Sequence, residues 1–292
     1  MTAADQHPRL EVRKTYKLFV DGKFPRSESG RSYEVVAADG RFLANAARGS
    51  RKDVRDAVAA ARKAHPGWAA ATAYNRGQVL YRVAEVLEGR REQFANEVAA
   101  GEGATRSDAV AQVDAAIDRW VWYAGWADKF AQIAGAANPV AGPYFNLSTP
   151  EPTGVVALVA PQASSLLGLV GVLAPAITSG NSVVVLASQD RPLPAISLGE
   201  VLATSDVPAG VVNLITGFTD ELAPVLAGHL DVDAIDLAGL ADTDTTEVEI
   251  LAAENVKRVR RPLDPAAELL TTGPERILAF CETKTVWHPK GR

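Results

Sequence analysis

Cysteine and histidine are scarce in this chain of 292 residues: one thiol, Cys281, and four histidines, His7, His65, His229 and His288, scattered without ligand spacing. A lone thiol excludes an internal disulfide and a cysteine-rich metal site and suits a reducing compartment, so no metal is expected. An excess of positive charge is missing too. Lys and Arg number 30 against 35 Asp and Glu, a net charge of −5, so nothing draws the chain to nucleic acid or an anionic membrane. The single basic cluster, Lys257 to Arg261, follows a stretch from Asp231 to Glu254 with acidic residues and no basic ones, and reads as solvated surface. No apolar run has membrane-spanning length, and the N-terminus, MTAADQHPRLEVRK, lacks the apolar core of a secretion signal. The expectation is a cytoplasmic protein with no nucleic-acid and no membrane partner, in which the formal sequon Asn146-Leu147-Ser148 has no meaning. Gly-x-Gly-x-x-Gly, P-loop, His-Glu-x-x-His and Gly-x-Ser-x-Gly strings are absent as well.

What is present is a globular composition, 47% apolar and 22% charged, enough for a sizeable core. KLFVDGKFPRS alternates around Asp21-Gly22, a hairpin signal. Ser50 caps a helical run that Pro66-Gly67 is expected to stop, and two further long helices are expected over 75–103 and 106–135. Trp122 and Trp126, four apart with Trp120 and Tyr123 beside them, predict a packed aromatic face. From Gly142 the pattern changes to two extended segments, then helix, strand, helix, strand, helix and strand up to residue 240. That alternation predicts an α/β fold with a Rossmann-like parallel sheet and flanking helices. The apolar run of NSVVVLASQDRP (181–192) reads as a buried parallel strand whose carboxyl end is where an α/β sheet holds ligands. Residues 242–273 lose periodicity and read as an irregular connector, and ERILAFCETKTVWHPKGR reads as one final strand.

The order of segments resembles the aldehyde dehydrogenase superfamily. YAGWADK (123–129), GPYFNLSTPEPTGVVALVAP (142–161), LAPAITSGNSVVV (173–185), VPAGVVNLITG (207–217) and HLDVDAIDLAG (229–239) are similar to its cofactor-binding half. ERILAFCETKTVWHP (275–289) resembles its extreme C-terminal strand, so the catalytic domain between them is missing. The resemblance implies N-terminal sheet and helices of a cofactor-binding-like domain over 1–142, a first part of an oligomerisation arm over 143–156, a Rossmann-like core over 157–241, the connector over 242–273, and a C-terminal arm strand over 274–292.

Aldehyde oxidation by this route needs a thiolate, a base and oxyanion donors. The resemblance puts thiol and base in the missing block. The family's Pro-Trp-Asn-Phe-Pro motif is matched by PQASS: Pro161 is kept, Gln162 replaces Trp, and Ala163 occupies the position of the oxyanion Asn. A Lys and a Glu that hold the ribose hydroxyls are matched by Leu186 and Gln189. Gly239 survives from the phosphate segment, followed by Asp242 and Asp244, which repel phosphate. The implied catalytic set is none. No cofactor is expected, with at most weak NAD(P) binding at the vestigial positions Pro161, Leu186, Gln189 and Gly239, and a collapsed core around Ala163, Leu186 and Ala187. Cys281 is expected to be structural. Both arm segments remain, with candidate interface residues Tyr144, Phe145, Leu147, Ile277, Leu278, Phe280, Thr283, Thr285 and Trp287, and loss of the catalytic domain is expected to uncover a sheet face. These features imply a chain that is not an enzyme by itself, a pseudoenzyme joined through its β arm to a full-length aldehyde dehydrogenase subunit or to itself, organising or regulating it. The alternatives are a contribution to NAD(P)-dependent aldehyde oxidation within a composite oxidoreductase, and a non-functional truncated remnant.

Overall fold

A computed structural model describes residues 12–240, 245–261 and 271–291. Asp21 and Gly22, at φ 52° and 69°, turn the chain so that Val20 and Lys23 bridge, the expected hairpin turn. Around it β1 (Thr15–Tyr16), β2 (Ser32–Val36) and β3 (Phe42–Ala47) form a small sheet in the order β1-β3-β2.

Helix α1 (Arg51–Ala70) starts in a capping box, Ser50 accepting from the Asp53 amide while Asp53 accepts from the Ser50 amide. It runs through Pro66-Gly67 instead of stopping there. Trp68 is buried and donates its indole N–H to the Ile177 carbonyl at 2.9 Å, and this packing holds the last turn against the proline. The second expected helix divides at Gly89 into α2 (Ala73–Glu88) and α3 (Arg91–Glu102), and the third ends early as α4 (Arg106–Trp126), followed by the short α5 (Phe130–Ala134). On α4, Trp120 and Tyr123 are fully buried, while Trp122 and Trp126 stack half-buried with ring centres 5.2 Å apart. This is the aromatic packing face that the spacing predicts.

After β4 (Ala136–Asn138) and β5 (Tyr144–Pro152), the chain alternates: β6 (Val155–Val159), α6 (Leu167–Thr178), β7 (Ser182–Leu186), α7 (Leu193–Ala203), β8 (Val212–Ile215), α8 (Thr219–Ala227) and β9 (Ala234–Asp236). Residues 245–261 carry α9 (Thr246–Ala253) and β10 (Arg258–Arg260), and the chain closes with α10 (Pro274–Leu278) and β11 (Cys281–Pro289). Strands β10-β9-β6-β7-β8 make one parallel sheet in that order. Alternate side chains go to opposite faces. Val156, Leu158, Val183 and Val185 join a core with α2, α3, α4, α6 and α7, whereas Val155, Ala157, Val184 and Leu186 pack under α1, α8 and α9. Every residue of β6, β7, β8 and β9 is buried, which explains their near-continuous Val, Leu and Ile runs. The expectation of an uncovered sheet face is therefore corrected: helices cover both faces.

The expected connector over 242–273 is partly regular. β10 extends the sheet, and the basic cluster is spent inside the chain. Arg258 donates to the carbonyls of Ala279 and Cys281, Arg260 pairs with buried Asp236 at 3.0 Å, and Arg261 pairs with Glu249. Residues 241–244 and 262–270, with Asp242 and Asp244, lie outside the described residues.

The single C-terminal strand expected from the sequence is also corrected. Residues 274–278 form a helix that buries Ile277, and Phe280 follows it into the same core. The strand begins only at Cys281, where it pairs antiparallel with β5 through Pro289, and β4 completes a three-stranded sheet in the order β11-β5-β4. The first arm segment likewise ends at Pro152, since Val155 and Val156 already belong to the parallel sheet.

Candidate functional site

Strand β6 pairs with β9 on one side and β7 on the other, so the sequence order switches there, and the crevice beyond the carboxyl ends of these strands is where an open α/β sheet binds ligands. The sequence-predicted positions do gather at this end. Ala160 and Pro161 follow β6, Leu186 ends β7, and Gly239 sits in a one-turn 3-10 helix, Ala238–Leu240, after β9.

Their side chains are committed elsewhere. Leu186 is fully buried in the core beneath α1 and α8. Gln162 donates to the Ala160 carbonyl at 2.8 Å and accepts from the Gln189 amide at 2.8 Å, and the Ser188 hydroxyl donates to the Gln162 carbonyl at 2.9 Å. The Gln189 carbonyl takes the Tyr33 hydroxyl at 3.0 Å, and its side-chain oxygen accepts from the Thr219 amide, the first residue of α8, at 3.2 Å. Ala163 is exposed and offers only a methyl group; its carbonyl accepts from Arg191 at 2.6 Å. A Cβ added at Gly239 would lie 2.2 Å from the Ala160 carbonyl oxygen. Glycine is kept here for the approach of the chain to itself.

At the start of α6, Glu102 reaches across from the end of α3. One of its oxygens accepts from both the Ser165 amide, at 2.7 Å, and the Ser165 hydroxyl, at 2.6 Å, while the other accepts from Gln112 at 3.0 Å. Nothing in the sequence singles out Glu102, because an acidic residue just before a helix-ending glycine is ordinary. Behind the crevice, burial pushes the Asp236 carboxyl above its usual range, with Arg260 pulling the other way. A dinucleotide needs charged partners for ribose and free N–H groups for phosphate; here the ribose positions are a buried leucine and a committed glutamine. The residues present do not fit the group.

The only thiol is not placed for chemistry. Cys281 donates to the Ile277 carbonyl at 3.3 Å, and burial pushes its pKa up to about 11, the opposite of nucleophilic activation. Among the described residues no group of three or more His, Cys, Asp or Glu could hold a metal ion, and no helix is long and apolar enough to cross a membrane.

The three-stranded arm is the other prominent surface. Directly opposed residues share a face, so Phe145, Leu147 and Val286 lie together, exposed by 55%, 49% and 45%. The opposite face carries Tyr144 edge-on to Trp287 at 5.8 Å, with Asn138 donating to Asn146 and Ser148, and Ser148 bonded to Thr285. Thr283 and Thr285 are exposed on β11, whereas Ile277 and Phe280, expected at the interface, are corrected to core residues, and Leu278 is half-buried against the same core.

A family model described as the aldehyde dehydrogenase family matches residues 24–263. The chain is 31% identical over 257 residues to aldehyde dehydrogenase family 2 member B4, mitochondrial, of Arabidopsis thaliana, covering 87% of this chain and 47% of that protein. It is 31% identical over 257 residues to human retinal dehydrogenase 2, covering 86% and 49%. Among solved structures, the NAD+ complex of aldehyde dehydrogenase from Bacillus cereus superposes with a TM-score of 0.81 at 27% identity, covering 85% of this chain and 50% of that one. Betaine aldehyde dehydrogenase from Staphylococcus aureus gives 0.80 at 26% identity, covering 85% and 50%. The chain spans about half the length of the relatives it matches. These matches overturn the expectation of a chain that is not an enzyme: the model is that of an enzyme family, and the relatives are named dehydrogenases.

Proposed function

Because the chain belongs to the aldehyde dehydrogenase family, we propose that it serves NAD(P)-dependent aldehyde oxidation as one subunit of a composite enzyme, docked through its β arm on a full-length aldehyde dehydrogenase subunit. The observation that carries this reading is the arm itself. Nine register pairs join β5 to β11 and present Phe145, Leu147 and Val286 to solvent on one face, an apolar patch on a two-edged sheet that a soluble chain seldom leaves unpartnered. In this division of labour the full-length subunit brings the attacking thiol and the base. Supporting that allocation, Ala163 has no donor side chain, and Cys281 is buried and hydrogen-bonded. A cytoplasmic setting accords with the single reduced thiol.

The test is purification of the tagged chain from its own host at physiological salt, native mass determination, and assay of aldehyde-dependent NAD(P)H formation in whatever elutes. A defined complex with a full-length aldehyde dehydrogenase, whose activity changes when this chain is withheld, is the expected result. A stable monomer, or an assembly of this chain alone, sinks the proposal.

A further inference from the structure

We infer that the ligand crevice of this sheet is held shut by the chain's own side chains, with the Glu102 carboxylate standing where an external anion would sit, so that the chain binds no dinucleotide. The inference concerns the crevice alone and holds whether or not the arm finds a partner.

Three closures act together. In the turn between β6 and α6, just ahead of the helix, the Ser165 N–H and O–H both point to one Glu102 oxygen, at 2.7 and 2.6 Å, while the Gly168 amide in the first turn of α6 donates to the Ser164 hydroxyl at 2.9 Å. An internal carboxylate thus already occupies the site's donors, and an incoming phosphate meets both lost hydrogen bonds and like charge. At the start of α8, the Thr219 amide is taken by Gln189 at 3.2 Å. Between them, Gln162 ties the end of β6 to the loop after β7 through the Ala160 carbonyl and the Gln189 amide, each at 2.8 Å. The backbone of Gly239 then lies so close to Ala160 that a Cβ there would sit 2.2 Å from the Ala160 carbonyl oxygen. Tyr33 braces the loop after β7 through the Gln189 carbonyl, and Arg191 of that loop ties it to the loop after β6 through the Ala163 carbonyl. The concavity that remains, about 400 Å³, borders this clasp at Gln189 and presents Glu34 and Asp190 beside Arg191.

Isothermal titration of the full chain with NAD+, NADH, NADP+ and NADPH, each to millimolar concentration, tests the closure directly. No saturable binding is expected; a dissociation constant in the micromolar range for any of the four overturns the inference. Inorganic pyrophosphate then tests the role of the carboxylate. Glu102→Ala frees the Ser165 donors and is expected to bind pyrophosphate at least ten-fold more tightly than the unaltered chain. Glu102→Gln keeps an oxygen acceptor for the same donors and is expected to gain less than Glu102→Ala. A folded Glu102→Ala chain with no gain, or equal gains in both variants, removes the Glu102 clasp from the account. Gln189→Ala, which frees the Thr219 amide without touching α3, repeats the test at the second closure if Glu102→Ala fails to fold.

Discussion

Single side chains decide how the two parts of this molecule are tied together. Asn181, at the turn into β7, accepts from the Gly154 amide at 2.8 Å and donates to the carbonyls of Ala176 and Phe280 at 3.0 and 2.9 Å, so one buried amide links the start of β6, the end of α6 and the root of the arm. Asn181→Ala leaves buried groups unsatisfied and is expected to destabilise the fold by about 2 to 4 kcal/mol, read from the urea midpoint. Glu97 gives the opposite case. It accepts from Tyr16, Gln93 and Ser197 through one oxygen, while its other oxygen is buried without a partner. Burial raises its pKa above the ordinary 4.5. A carboxyl that holds its proton more tightly in the fold contributes stability below that ordinary value and loses it as pH rises through the folded one. Glu97→Gln is therefore expected to be more stable than the unaltered chain at about pH 8, with a flatter dependence of thermal midpoint on pH from about 5 to 8; a variant less stable at high pH would refute the assignment.

At the scale of elements, the C-terminal segment divides where the sequence predicts continuity. Ile277 is fully buried on α10, whereas Trp287, ten residues on, is 58% exposed on β11. Ile277→Ala is expected to lower stability by about 2 to 4 kcal/mol, and Trp287→Ala by less than about 1 kcal/mol, in the same denaturant titration. Similar losses at both positions would mean that the segment is one strand after all. The parallel strands were readable because both their faces are buried, which writes itself as Val183-Val184-Val185 between turn residues. The hairpin at Asp21-Gly22 was readable because its turn needs positive φ. The helix at 274–278 was hidden because five residues carry too little periodicity to compete with a β-branched neighbour, and the Pro66-Gly67 stop failed because the burial of Trp68 outweighs a local break. In the crevice, the loss of charge at Leu186 and Gln189 could be read directly. The replacement contacts could not, since Glu102 lies 63 residues from Ser165 and Gln162 lies 27 from Gln189.

Considered whole, the chain has a core that does not depend on its arm. Ile277 and Phe280 complete the packing against α6, while everything beyond Cys281 is exposed and touches the rest of the chain chiefly through β5. Among the described residues the contacts at the root include Arg258 to the Cys281 carbonyl and to Glu282, and Asn181 and the Thr153 amide to the Phe280 carbonyl, the last two of which involve no residue of the strand. A chain ending at Phe280 is thus expected to unfold cooperatively with a thermal midpoint within about 10 °C of the full chain, since losing roughly 1 to 2 kcal/mol moves a domain of this size by only several degrees. The same chain is expected to lose the full-length dehydrogenase on native purification, because β5 then has no β11 to complete the sheet that carries Phe145 and Leu147. Replacing Phe145 and Val286 by Asp in the intact chain should have the same effect on assembly with little effect on stability, as both side chains are half-exposed already. If the truncated chain stays folded and still recovers the dehydrogenase, the docking surface lies on the helices of the core, and the arm is excluded as the contact.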